Sequence, residues 1–133
     1  MMKETLNPQL LFDSKQFGFS QVVISNTGKL VFISGQVAWD DKLKIIGKKD
    51  LAMQTQKSLD NIKIAIEAAG GTLGDIVMLR IYKVNYRKKD GAIISQILKN
   101  NFGVDNPPAS TWLNVKGLAN KKFMIEIEAQ AVI

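Results

Sequence analysis

The chain of 133 residues contains neither histidine nor cysteine. That excludes serine–histidine and cysteine–histidine nucleophiles, disulfides and the usual zinc sites. Any catalysis must use carboxylates, hydroxyls, amines, backbone groups or a bound cofactor. Near neutral pH, proton transfer falls to an Asp or Glu tuned by burial, or to ordered water. Three segments hold the residues of most interest. Pro107-Pro108-Ala109-Ser110-Thr111 leads into Trp112-Leu113-Asn114-Val115-Lys116, residues 123–131 alternate apolar with polar and carry Glu126 and Glu128, and Arg80 stands inside the nearly all-apolar run 76–84.

Positioning these residues requires a sheet. Residues 21–25 and 30–34 flank Asn26-Thr27-Gly28-Lys29, and because Asn and Gly tolerate positive φ this predicts an antiparallel hairpin that begins the sheet. After a loop through Asp40-Asp41 and Gly47, Asp50 is placed to cap a helix. Its apolar positions Ala52, Leu59, Ile62, Ile66 and Ala69 recur at three- and four-residue steps, and Gly70-Gly71 ends it with a left-handed residue. Residues 76–84 read as a strand buried on both faces in the middle of a sheet. A second helix is predicted from Asp90 through Ile93, Ile94, Ile97 and Leu98 to about Phe102, with Gly103 as its stop. Residues 112–116 and 123–132 complete the order β-β-α-β-α-β-β, with room for a short N-terminal strand. The expected class is α+β, one domain over residues 1–133, with both helices on one face of the sheet.

In the last strand, Ile125, Ile127, Ala129 and Ala131 are expected to point toward the helices, and Met124, Glu126, Glu128 and Gln130 away from them. Met78 shares a face with Arg80 and Tyr82, and Trp112 with Asn114 and Lys116, so the helix-free face should interleave large apolar groups with charged ones. Such a face fits a subunit interface with clefts, and a homo-oligomer is expected. The alternative is a monomer with a half-polar sheet.

Composition narrows the class. Apolar residues make up 46% and charged residues 23%, which argues for a globular chain over a disordered one. No apolar run approaches the roughly 18 residues of a membrane span, and the N-terminus lacks a signal peptide's basic-then-apolar order, so a cytoplasmic protein is expected. The net charge of +6 comes largely from Lys42-Leu43-Lys44, Lys48-Lys49, Arg87-Lys88-Lys89 and Lys121-Lys122. These clusters lack aromatic interleaving for base stacking, so a solvated surface is favoured over a nucleic-acid partner.

Gly18-Phe19-Ser20-Gln21, Ile33-Ser34-Gly35-Gln36, the helical stretch 54–62, Glu67-Ala68-Ala69-Gly70-Gly71 and Ile125-Glu126-Ile127-Glu128-Ala129 together resemble the Rid family. These are the reactive intermediate deaminases, also called YjgF-like or RidA-like proteins, and the likeness spans roughly residues 17–132. The resemblance implies a chorismate-mutase-like subunit with a mixed sheet, assembled as a homotrimer with sites in the clefts between neighbours. It also implies hydrolysis of 2-imino and 2-enamino acids to 2-keto acids and ammonia, without metal or cofactor. That chemistry needs an aimed water, a proton donor for nitrogen and an anchor for the substrate carboxylate, none of which requires His or Cys.

Carried over position by position, the resemblance puts the family's water-activating glutamate at Glu126. On a partly buried strand face such a carboxyl has a raised pKa; the plainer reading is a solvated or ion-paired residue. Ser34 and Gly35 match a pocket-lining pair, or serve only as a strand-end turn. Phe19 stands where relatives have tyrosine, as a pocket wall or as packing. The departure lies at Ser110. Aligning Pro108-Ala109-Ser110-Thr111 with the family's Pro-Ala-Arg-Ser puts Ser110 on the arginine that clamps the substrate carboxylate, and one extra residue then precedes Glu126. Losing such an anchor costs a few kcal/mol, roughly a hundredfold or more in binding, which argues against an ordinary 2-imino acid as substrate. Arg80 is a candidate for a relocated anchor, or else pairs with Glu126 or Glu128. Thr111 and Trp112 lie where relatives contact the ligand, and the Trp112 side chain narrows the site or fills an interface. The functional expectation is an imine or enamine hydrolase with a non-standard substrate. The alternatives are a non-catalytic small-molecule binder on the same fold and, with no constellation to support it, a ribonuclease.

Overall fold

The structure, a computed structural model, describes residues 3–133. Six strands and two long helices follow in the order β1 (Lys3–Leu6), β2 (Val22–Ser25), β3 (Leu30–Gln36), α1 (Leu51–Ala68), β4 (Ile76–Val84), α2 (Lys88–Phe102), β5 (Ala109–Val115) and β6 (Ile125–Val132). The main sheet has the order β3-β6-β4-β5, with β6 antiparallel to both neighbours and β4 parallel to β5. The parallel pair is reached through α2, because parallel strands need a long crossover. The expected α+β class with a mixed sheet is what the chain adopts.

Burial alternates along the two central strands. Leu79, Ile81, Ile125, Ile127, Ala129 and Ala131 are buried beneath the helices, where Leu59, Ile62 and Ile66 of α1 and Ile94 and Leu98 of α2 meet them. Each such aliphatic side chain contributes about 1.5–3 kcal/mol by leaving water, so this one-sided core holds both helices on the same face. α1 begins where expected: the Asp50 carboxylate accepts from the Met53 N–H at 3.0 Å. It also ends where expected, with Gly70 at φ 92° in the left-handed region.

Several expectations need correction. The segments around residue 28 do not form a hairpin: β2 pairs antiparallel with β1 in a separate two-stranded sheet, and β3 pairs with β6. Gly28 is needed for closeness, since a Cβ there would lie 2.6 Å from the Ile133 carbonyl oxygen. β4 is central but is buried on one face alone; Met78, Arg80 and Tyr82 remain partly open. α2 starts at Lys88, and Asp90 sits inside its first turn, accepting from the Arg87 N–H at 2.9 Å. β5 begins at Ala109, so Ser110 and Thr111 belong to a strand. Trp112 pairs in register with Ile81, which puts it on the helix side of the sheet, packed against the core.

One buried polar side chain ties α1 to the strand that carries Glu126. Gln54 is fully buried; its Nε2 donates to the Lys122 and Gly47 carbonyls at 2.9 and 3.2 Å, and its Oε1 accepts from the Met124 N–H at 2.8 Å. Gln54→Leu keeps the volume but leaves these backbone groups without partners. A loss of about 3 kcal/mol in urea-unfolding free energy is expected, and an unchanged midpoint would refute this role for Gln54.

Candidate functional site

The open face of the sheet carries Met78, Arg80 and Tyr82 from β4 and Glu126, Glu128 and Gln130 from β6. Tyr82 lies opposite Glu126 in the ladder, and Arg80 opposite Glu128. The Tyr82 hydroxyl donates to Glu128 Oε1 at 2.5 Å, and the Arg80 guanidinium stands 3.7 Å from the same oxygen. Of the two sequence-level partners for Arg80, the structure selects Glu128. The pair is partly exposed, so its net stabilisation is small.

Among the described residues Glu126 is thereby left without a cation. Burial pushes its carboxyl above the ordinary glutamate value, and the neighbouring Glu128 adds to the rise. The hydrogen bond to Glu128 likewise raises the Tyr82 phenol. Ser34 and Gly35 complete this half of the site. Ile33 pairs with Ala129 and Gln36 with Ile127, so two residues of β3 oppose the single residue Glu128 and form a bulge. The bulge brings the backbone at Gly35 onto the Glu126 carboxylate: a Cβ at position 35 would collide with that side chain. A larger residue there would push the Glu126 carboxylate aside, and the bulge itself leaves no mark in the alternation of residues 30–36. Ser34 is exposed beside it.

The other predicted residues gather at the free edge of the sheet. Ser110 pairs in register with Leu79 and Trp112 with Ile81, so both turn toward α2, where Trp112 Nε1 donates to Ser110 Oγ at 2.9 Å. The Phe19 ring lies 6.0 Å from that of Trp112 and 6.2 Å from that of Phe12. Together with Thr111 and Tyr86 these aromatics border an open cleft of about 470 Å³. Phe19 reaches Ser110 across some ninety residues of chain because Ser20 is stapled to the double proline. Its hydroxyl donates to the Pro107 carbonyl at 2.6 Å, and its N–H to the Pro108 carbonyl at 3.0 Å. Gly18, at φ 92°, turns the chain into this position.

Within one chain, then, the site residues fall into two groups. Glu126, Ser34, Gly35 and Arg80 share the open face, whereas Phe19, Ser110 and Trp112 share the α2 side of β5. Thr111 lies between, in register with Arg80 yet lining the aromatic cleft. Arg80 does not reach the side occupied by Ser110. The sequence reading singled out neither the Ser20 staple nor the hydrogen bond between Trp112 and Ser110. The small polar residues at 20 and 110 do not announce such partners.

The Glu126 environment makes stability depend on pH in a definite direction. The native state favours the protonated carboxyl, so this group's contribution is fully present below the ordinary glutamate pKa and is lost as pH rises through the raised one. Glu126→Gln should remove that loss, flattening the fall of urea-unfolding free energy across the window. Parallel pH profiles for the variant and parent would mean that Glu126 titrates normally.

The chain resembles known proteins over most of its length. Residues 14–133 match the family model described as endoribonuclease L-PSP. A RutC family protein of Pyrococcus horikoshii is 35% identical over 113 residues, covering 85% of each chain. The 2-iminobutanoate/2-iminopropanoate deaminase of Salmonella typhimurium is 35% identical over 107 residues, covering 79% of this chain and 80% of its own. The crystal structure of a Rid-family protein of unknown function from Yersinia pestis superposes with a TM-score of 0.95 at 36% identity, covering 100% of both chains. On these likenesses over most or all of its length, the chain belongs to the Rid (YjgF/RidA-like) family.

Proposed function

We propose that this protein hydrolyses reactive imines or enamines to a carbonyl compound and ammonia, in clefts between neighbouring copies of a homotrimer. The observation that carries this reading is Glu126: a carboxyl with no cation beside it among the described residues, its pKa raised by burial, facing the backbone of the Gly35 bulge. Glu126 takes a proton from water as the water oxygen bonds to the imine carbon, and the proton passes to nitrogen. Glu126 then carries the hydroxyl proton of the resulting carbinolamine to nitrogen, and as the C–N bond breaks ammonia leaves and the C=O forms. A group that both accepts and returns a proton works best with a pKa shifted toward the working pH, which favours Glu126 over a fully solvated carboxylate. The likeness to a relative named 2-iminobutanoate/2-iminopropanoate deaminase supports the reaction class.

Assembly follows from the division of the site. The open-face group and the aromatic edge lie on different sides of β5 in one chain, so a cleft holding both takes one group from each of two neighbours. The Met78, Arg80 and Tyr82 face and the exposed Phe32 are the surfaces such an assembly covers. At the edge, Ser110 accepts from Trp112 and offers no charge, and the surrounding rings suit an apolar substituent better than a carboxylate. Arg80 remains a second candidate for a carboxylate anchor, because its contact with Glu128 at 3.7 Å leaves guanidinium donors available.

The test generates imines in place and follows release of the carbonyl product. Acceleration is expected to be larger for an imine with an aromatic, uncharged substituent than for 2-aminoacrylate. Glu126→Gln should lower the rate by roughly a hundredfold or more. No acceleration for any imine, with saturable binding retained, would identify a ligand-binding protein on the same fold. Unchanged affinity for 2-imino acids in Arg80→Ala would remove Arg80 as an anchor, and a monomer by light scattering at working concentration would refute the shared cleft.

A further inference from the structure

Away from the residues discussed so far, the beginning of α2 and the loop before β6 enclose a basic groove. One cavity of about 330 Å³ is walled by Lys83, Arg87, Lys89, Asp90 and Lys121. A second of about 300 Å³ is walled by Lys48, Lys49, Lys121 and Lys122. Lys121 and Met124 line both, so the two are adjacent. These walls hold seven of the 18 basic residues and one of the 12 acidic ones, so eleven of each remain elsewhere. The rest of the chain is neutral, and the whole net charge of +6 is concentrated at this groove.

Three features make it more than a solvated charge run. First, Lys83 is 4% exposed, its ammonium 3.3 Å from Asp90 Oδ2 and donating to the Val84 carbonyl at 2.6 Å. Among the described residues these two acceptors leave one of its three N–H donors for an occupant of the cavity. A lysine so deeply buried is uncommon unless it is paired, and here Asp90 is its partner. Second, two non-glycine residues of the walls, Lys49 at φ 59° and Asn85 at φ 52°, hold left-handed backbone, a strain that concentrates at functional positions. Third, the groove is concave and of small-molecule size, and its aromatic ring, Phe123, is 3% exposed and packed edge-on against Trp39 at 5.0 Å. It therefore offers no stacking platform for the bases of a nucleic acid.

We propose that this groove binds a compact small molecule bearing two or more linked phosphate groups, at a site separate from the imine cleft. Lysine ammonium groups act as point charges that suit clustered phosphate oxygens, and a linked chain of phosphates spans the two cavities through Lys121. The lining cations outnumber the single lining acid, which favours entry of an anion.

Isothermal titration of the full chain with inorganic tripolyphosphate tests this, with citrate and a single-stranded RNA as parallel titrants. Tripolyphosphate is expected to saturate at one per chain, more tightly than citrate. Lys89→Gln combined with Lys121→Gln, both exposed positions, should weaken it at least tenfold. Lys29→Gln combined with Lys63→Gln, an equal charge change elsewhere on the surface, should leave binding at the parent's level. Absence of saturation, or equal weakening in the two double variants, would overturn the proposal by reducing it to net charge. Equal affinity for citrate would overturn the phosphate assignment. RNA affinity that grows with strand length and is not displaced by tripolyphosphate would make the groove a nucleic-acid surface instead.

Discussion

Strand β6 is the constraint on which the rest depends. It lies between β3 and β4 and contributes hydrogen bonds to both, so its two faces are set by its neighbours as well as by its own pleat. One face delivers Ile125, Ile127, Ala129 and Ala131 to the helices, and the other holds Glu126, Glu128 and Gln130 to the open side. The core and the proposed chemistry are consequently written on the same eight residues in opposite phase. The burial that anchors the isoleucines also fixes where the carboxylates stand, and packing supplies the positional precision that a loop would have to gain by other means.

The open face shows how two glutamates two residues apart come to differ. Glu128 receives the Tyr82 hydroxyl and lies near Arg80, whereas Glu126 faces the bulged backbone of β3 and is raised by burial. Identical side chains on one strand face become a structural acceptor and a proton-relay candidate through their cross-strand neighbours. Pairs of carboxyls separated in this way are a common route to acid–base function without histidine.

Much of this was legible before any coordinates, and the boundary between what was and was not is physical. The Asp50 cap, the Gly70 stop and the in/out pattern of β6 are local signals, and all are realised. What failed concerned partners. Residues 22–25 and 30–36 each form strands, but β2 finds β1 and β3 finds β6, choices set by distant segments. Trp112 does share a face with Asn114; which side of the sheet that face takes depends on β5 aligning Trp112 with Ile81. Asp90 carried a capping residue's signature yet stands two positions inside the helix, where it also meets the buried Lys83. The bulge at Ser34 and Gly35 is invisible in sequence because a register shift belongs to a pair of strands, not to one.

The two-phase reading of β6 also bears on how such a chain tolerates change. Inserting or deleting one residue within the strand would exchange its faces, turning carboxylates into the core and isoleucines outward. Substitution is therefore open to this segment and length variation is closed to it. The connection ahead of it is different: between Val115 and Ile125 the chain runs without strand or helix, and Gln54 grips it at Lys122 and Met124, just before the strand begins. A clamp at the downstream end of such a connection lets slack accumulate on one side while the register on the other stays intact.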